Sequence, residues 1–299
     1  MEKIAIICHA AGGAEIISNW AVAQNATFYF VLSGPAVSIF RKLFGDIKIL
    51  KIEEAIKNSD WTLCGSSWNS DLEKKAVLYA KELKKKVIVF LDHWICYEER
   101  LTFKGKSNLP SQIWVTDNYA YNIAREIFKK ISIINVGNQY LDNQILKIKK
   151  INKSDSDYKV SKILFVAENI REHAFLYHKD EKYWGYTEEE ALIYFLDNIG
   201  KLKNRIEKIT IRLHPSDKKG KYDWILNMKK YKNIFISSNK NELIYEINNC
   251  DLVVGCETMA MVLALHANKE VISCIPPKGR RCILPHKEIK YLNHLIKNL

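Results

Sequence analysis

Two short runs hold residues that can receive a phosphate and its charge: ITIRLHPSDKKG, Ile209 to Gly220, and VVGCETMA, Val253 to Ala260. In the first, Ile209, Ile211 and Leu213 alternate with Thr210 and Arg212 in the manner of a strand, and Pro215 ends the run by fixing φ and withholding a donor. His214 is therefore expected at a strand's carboxyl end beside Arg212, where either ring nitrogen can donate to phosphate oxygens. In the second run, Gly255 turns the chain into an apolar helix expected to begin around Glu257, Thr258 and Met259. The free N–H groups of a helix start suit a phosphate, and Glu257 suits a diol as acceptor. Lys278, Arg280 and Arg281 follow in the proline-framed PPKGRRCILP, placed to meet a carboxylate or diphosphate. Each feature also has a purely structural counterpart: a strand-end histidine, an acidic helix opener, a solvated basic loop.

The amino-terminal half offers acids and bases. HAAGGAE, His9 to Glu15, places Gly12 and Gly13 between a first strand and a first helix, where a backbone can approach an anion or sugar closely, and puts Glu15 in the first helical turn. Glu15 is either a catalytic carboxylate or a partner of the helix dipole. The three spaced glycines of a dinucleotide fingerprint are missing, as is a P-loop. The apolar KVIVFL delivers Asp92-His93-Trp94 into a long loop. Asp92 is the first candidate for a general base and His93 the competing one; capping of the next turn and a structural histidine are the alternatives. Glu168, in AENIREH, stands at a further strand end, and YHKDEKYWGY (Tyr177 to Tyr186) can stack on a base or sugar, or pack over a sheet end.

What must position these groups is a series of strand–helix units. KIAIIC, TFYFVL, WTLC, KVIVFL and QIWVT each precede a helical pattern or loop, and after the polar KIKKINKSDSDYK near 147–160 the alternation resumes with KILFVA, KITIRL, NIFISS, DLVVG and EVISCI. Repeated βα units imply parallel doubly wound sheets, with ligands beyond the carboxyl strand ends. Two α/β domains are expected, 1–150 and 151–299, facing a cleft. Capping-box spacing at Ser70/Glu73 and Thr187/Glu190 marks two helix starts.

The chain has 299 residues, 47% hydrophobic and 27% charged, the balance of a soluble globular protein. Its net charge of +12 is spread evenly, with 21 Lys/Arg against 15 Asp/Glu in residues 1–150 and 25 against 19 in the rest. Without a basic tail, nucleic acid is not an expected partner. A diffuse basic surface suits anionic ligands or peripheral contact with an acidic membrane face, and equally a solvated exterior. Seven cysteines with no CxxC pair and no zinc spacing argue for reduced thiols, and with no signal peptide or membrane-length apolar run they predict a cytoplasmic protein without a metal or cofactor.

With these residues in place, the chain resembles the GT-B class of glycosyltransferases over essentially its whole length. RLHPSD followed by VVGCETMA resembles bacterial transferases of CMP-activated acidic sugars (sialic, Kdo, pseudaminic and legionaminic acid types) in capsule and lipopolysaccharide synthesis. The resemblance implies that His214 contacts the donor phosphate and that Thr258 holds it. Where those families pair two hydroxyls this chain has Glu257-Thr258, and the acidic-acidic-glycine motif of several sialyltransferase families is absent. Teichoic-acid-type transferases using CDP-polyol phosphates also carry a His-Pro. The resemblance further implies inverting, metal-independent transfer to a glycan, lipid-linked or protein acceptor, with residues 1–150 binding the acceptor and 151–299 the nucleotide sugar. A UDP-sugar transferase, a hydrolase or epimerase of the same architecture, and a non-catalytic carbohydrate-binding subunit are the alternatives.

Overall fold

The computed structural model describes residues 1–67, 70–150, 161–202, 206–237 and 239–297. It divides into two compact units, Met1–Asn143 and Gln144–Leu299. The chain runs β1 (Glu2–Cys8), α1 (Ala11–Val22), β2 (Ala26–Leu32), α2 (Pro35–Phe44), α3 (Ile52–Asn58), β3 (Trp61–Cys64), α4 (Leu72–Glu82), β4 (Lys86–Leu91), α5 (Tyr97–Arg100), a β5–β6 hairpin (Thr102–Phe103, Lys106–Ser107), β7 (Gln112–Val115), α6 (Asn118–Ile127), β8 (Ser132–Asn135) and α7 (Gln139–Lys150). The expected linker at 147–160 thus begins inside a helix, and its remainder, 151–160, lies outside the described residues.

The second unit continues with β9 (Ser161–Val166), α8 (Ile170–His178), α9 (Glu188–Leu202), β10 (Ile206–Arg212), α10 (Asp223–Leu226), β11 (Ile234–Ile236), α11 (Leu243–Asn248), β12 (Leu252–Gly255), α12 (Met259–His266), β13 (Glu270–Ser273), β14 (Lys290–Tyr291) and α13 (Leu292–Leu295).

Each unit is built on a six-stranded parallel sheet, in the order β2-β1-β3-β4-β7-β8 and β11-β10-β9-β12-β13-β14. Helices cover both faces of such sheets, so central strands are apolar without alternation. Ile4–Cys8, Val87–Leu91 and Leu252–Gly255 are buried throughout. Helix α1 turns Ala14, Ile17 and Ala21 inward at a spacing of three to four residues. Against this sheet Trp20, Trp61 and Trp114 meet edge to face, with ring centroids 5.2 to 6.2 Å apart.

The two capping boxes part company. Thr187 Oγ1 accepts the Glu190 N–H (3.3 Å) and Glu190 Oε2 accepts the Thr187 N–H (3.0 Å), which fixes the start of α9 and contributes about 1 kcal/mol. At α4 the expected box does not form. Ser70 Oγ accepts the Leu72 N–H (3.1 Å), while Glu73 turns away from it toward the end of β1. No helix among the described residues is long and apolar enough to cross a membrane, and all seven cysteines are free thiols, five of them buried.

Candidate functional site

In doubly wound sheets a crevice opens where the strand order reverses. In the first unit that point lies between β1 and β3. Gly12 and Gly13, expected between strand and helix, are in the first turn of α1, after an Ala10 cap that offers no side-chain acceptor. A Cβ on Gly12 would stand 2.4 Å from Asp92 Oδ2, so glycine is needed there to admit a carboxylate to the helix start. Gly13 leaves room for ordinary contact with Cys8 Sγ and the Gly65 backbone.

Asp92 Oδ1 accepts hydrogen bonds from Ser66 Oγ and from Arg100 Nη1, both at 2.9 Å. Arg100 also donates to the Ser66 carbonyl at 2.5 Å. With side chains only about a tenth exposed, this is a largely buried ion pair whose desolvation is offset by the added hydrogen bonds. His93 Nδ1 accepts the Trp94 N–H (3.0 Å), and the buried Trp94 indole donates to Asp117, which caps α6. Glu15 is half-buried and sits in the second turn of α1, not the first, because the helix already begins at Ala11.

Two groups at this crevice were not among the expected residues. Glu73 is buried, and its Oε1 accepts the His9 N–H at 2.7 Å. Burial pushes its carboxyl up to about 7 against the opposing hydrogen bonds, and Oε2 is buried with no partner among the described residues. His9 Nδ1 lies 2.8 Å from Ser33 Oγ. Its ring occupies the space over Gly34, where φ is +55° and a Cβ would fall 2.5 Å from the ring. The signal for Glu73 was present in the capping spacing but pointed to the wrong partner. His9 was visible only as the first residue of HAAGGAE.

In the second unit the order reverses between β9 and β12. Glu168, just past β9, is partly exposed, and its Oε1 accepts the N–H groups of Cys256 (2.8 Å) and Glu257 (2.9 Å) in the turn before α12. Confinement and the neighbouring Glu257 carboxylate push Glu168 up to about 8. Glu257 is itself buried: Oε1 accepts from Arg280 Nε (3.0 Å) and Nη2, and Oε2 from the Ile283 N–H (3.3 Å). Both oxygens expected to meet a diol are thus engaged within the protein. Thr258 caps α12, its Oγ1 accepting the Ala260 N–H (3.3 Å), and Met259 opens the helix exposed. Gly255 is glycine for packing, since a Cβ would meet Val166 at 2.8 Å.

Arg280 lies 4.2 Å over the Trp184 ring, while Lys278 and Arg281 are exposed. The loop is tied down at Gly185, where φ is +84° and a Cβ would reach within 2.3 Å of the Lys278 carbonyl. Of the aromatic segment, Tyr186 is in the core and Tyr183 stacks on His178 at 3.5 Å. On the far side of β9, His214 follows β10 as expected. Its N–H donates to Asp217 Oδ2 (2.9 Å), its Nδ1 is 2.7 Å from Ser216 Oγ, and burial pushes its pKa below the usual histidine value against the Asp217 carboxylate. Arg212 instead pairs with Glu246 at 2.8 Å and the Asn241 carbonyl. The sheet therefore brings His214, Glu168 and Thr258 to neighbouring strand ends and directs Arg212 elsewhere.

No protein-family model matches this sequence, and no curated protein matches it. Solved structures do match the fold. UDP-GlcNAc 2-epimerase from Methanocaldococcus jannaschii, in complex with UDP-GlcNAc and UDP, aligns at TM-score 0.58 and 15% identity over 91% of this chain and 83% of that one. The S. aureus MnaA–UDP structure aligns at 0.57 and 13% over 91% and 79%, and Acinetobacter baumannii MurG at 0.53 and 10% over 93% and 79%. The chain is thereby placed in the GT-B-like fold class, two α/β domains on parallel sheets.

Proposed function

We propose that this chain is a glycosyltransferase that moves an acidic eight- or nine-carbon sugar from a CMP-activated donor to a glycan, lipid-linked or protein acceptor, inverting and without a metal. The observation that carries the reading is the grouping on one sheet of His214 after β10 and the Thr258-capped start of α12 after β12, on either side of β9. In this reading the second unit holds the nucleotide sugar. His214 and the amides opening α12 meet the leaving phosphate, and the exposed Lys278 and Arg281 meet the sugar carboxylate. Arg280 is bound to Glu257 and so shapes the loop. The first unit binds the acceptor and takes its proton. Asp92 is the leading base, acting through Oδ2 because Oδ1 is held by Ser66 and Arg100; Glu15 and His93 are its rivals.

One observation favours a second reading. Glu73 and Asp92 give the first unit two carboxyl groups in unlike environments, one buried with no ion pair among the described residues and one ion-paired, a pattern suited to moving a proton off and back onto a substrate carbon. This is the chemistry of an epimerase acting on a UDP-sugar, and two of the matched structures carry UDP or UDP-GlcNAc. Incubation with CMP-sialic acid and, separately, with UDP-GlcNAc distinguishes the two. Release of CMP, accelerated by acceptor, is expected; formation of the 2-epimer of UDP-GlcNAc without loss of UDP overturns the transfer reading. A thermal-shift series with CMP, CDP, UMP, UDP and GDP reports the base, with cytidine nucleotides giving the largest shift if the reading holds.

A further inference from the structure

The hydrogen bonds around His214 can be followed donor by donor from two charged groups of fixed sign. The Asn169 side chain is buried at the start of α8. One of its amide atoms faces the Glu172 carboxylate at 2.6 Å and the other faces the Lys221 ammonium at 3.5 Å. A carboxylate only accepts and an ammonium only donates, so the atom toward Glu172 is Nδ2 and the atom toward Lys221 is Oδ1. Lys221 is itself anchored by Asp217 and Glu188, each at 2.6 Å. Nδ2 spends its second N–H on Ser216 Oγ at 3.0 Å. That hydroxyl, now an acceptor from Asn169, has its own proton left for the nitrogen 2.7 Å away, His214 Nδ1. The Ser216 N–H points at the same nitrogen, at 3.3 Å. Two donors converge on Nδ1, which must therefore present a lone pair.

We propose that Asn169 and Ser216 are positioning residues that hold the His214 imidazole in a single neutral tautomer with its proton on Nε2, so that it faces a bound anion as a hydrogen-bond donor and not as a base. Among the described residues no side chain accepts from Nε2, which leaves that N–H for a ligand oxygen. The other charged or titratable groups around the ring are Glu172 and His173 of α8, with the His173 ring 6.2 Å away, and Asp217 and Lys221 after β10. The inference deepens the reading of His214 as a phosphate contact and assigns the proton-accepting role to another residue.

The test reads the tautomer without any ligand. In 15N-labelled protein, long-range 1H–15N correlations of His214, identified by their loss in His214→Gln, are expected to show a protonated Nε2 and an unprotonated Nδ1 at neutral pH. Asn169→Asp replaces the donating amide by a carboxylate that accepts the Ser216 hydroxyl proton, reversing the relay. The ratio of tautomers should then move toward Nδ1–H by roughly tenfold, the worth of about one hydrogen bond, and the ring's protonation midpoint should rise. Ser216→Thr keeps the hydroxyl and should keep the wild-type tautomer; Ser216→Ala should shift it part of the way and serves if Asn169→Asp fails to fold. A wild-type ring protonated on Nδ1, or a folded Asn169→Asp with an unchanged ratio, overturns the proposal. CMP titrations are run separately. Absence of CMP binding by the wild type would count against the proposed function while leaving the tautomer result to stand or fall alone.

Discussion

The two sheet crevices differ in what they do with a carboxylate at a helix start. In the first unit Asp92 lies against the opening turn of α1 with Arg100 as counter-ion, and Gly12 keeps the space clear. In the second, Glu168 caps the turn before α12, with only amides on its Oε1 and a second carboxyl, Glu257, close by. Desolvation of the Glu168 carboxyl, with the like charge of Glu257 beside it, favours the proton there. The same architecture thus presents one helix start with an ion-paired carboxylate and another with a carboxyl raised toward its protonated form.

The contrast between the crevices breaks most visibly at Asp92. Asp92→Asn preserves shape and hydrogen bonding, and it should lower turnover by about a thousandfold, within the range for loss of a general base, with little change in donor affinity. Steady-state kinetics with Glu15→Gln as the matched control decide it: loss at Glu15 with Asp92→Asn unaffected moves the base to α1, and weakened donor binding makes Asp92 a positioning group.

Glu73 tests the burial side of the same crevice. Burial pushes its folded carboxyl up to about 7 from the ordinary 4.5, so the stability it lends is complete below pH 4.5 and is lost as pH rises through about 7. The loss is about 3 kcal/mol from a shift of that size. Glu73→Gln, neutral at every pH, should be more resistant than wild type to denaturant at pH 8 and lose that advantage at pH 4.5. Parallel pH profiles for the two proteins would mean that Glu73 finds a counter-charge in solution.

His214→Ala should reduce transfer about a hundredfold with the circular dichroism spectrum unchanged, as expected for loss of one donor to developing charge. Near-wild-type turnover on a verified donor would make it an ordinary strand-end histidine. The smallest effect is at Glu168. As pH rises through about 8 the carboxyl ionises beside the proposed phosphate, so nucleotide affinity should fall severalfold; Glu168→Gln should flatten that decline. An unaltered pH dependence in the variant would place the phosphate away from the α12 amides.

The alternation of apolar runs made the strands legible, because buried parallel strands must be apolar along their length. It missed β8, β14 and the β5–β6 hairpin, whose short runs SIIN, KY, TF and KS hold too few apolar residues to stand out. His214 and Thr258 were legible from local syntax, a proline and a glycine that end strands. The Glu73–His9 contact spans 64 positions, and no local pattern encodes which of two backbone N–H donors a helix-start glutamate will accept from. Arg212 shows the reverse limit: its place beside the His-Pro was plain in the chain, but its partner Glu246 comes from α11.

The stacking of Arg280 on Trp184 makes the basic loop observable by light. Five of the seven tryptophans belong to the first unit, three of them in the mutual cluster of Trp20, Trp61 and Trp114. The second unit has only Trp184 and Trp224, and a guanidinium 4.2 Å above the Trp184 indole perturbs its emission directly. With Trp224→Phe as background, the Trp184 contribution becomes a reporter inside the second unit. A ligand that draws Arg280 off the ring changes that emission, so loop engagement can be timed in a stopped-flow mixer before any product forms.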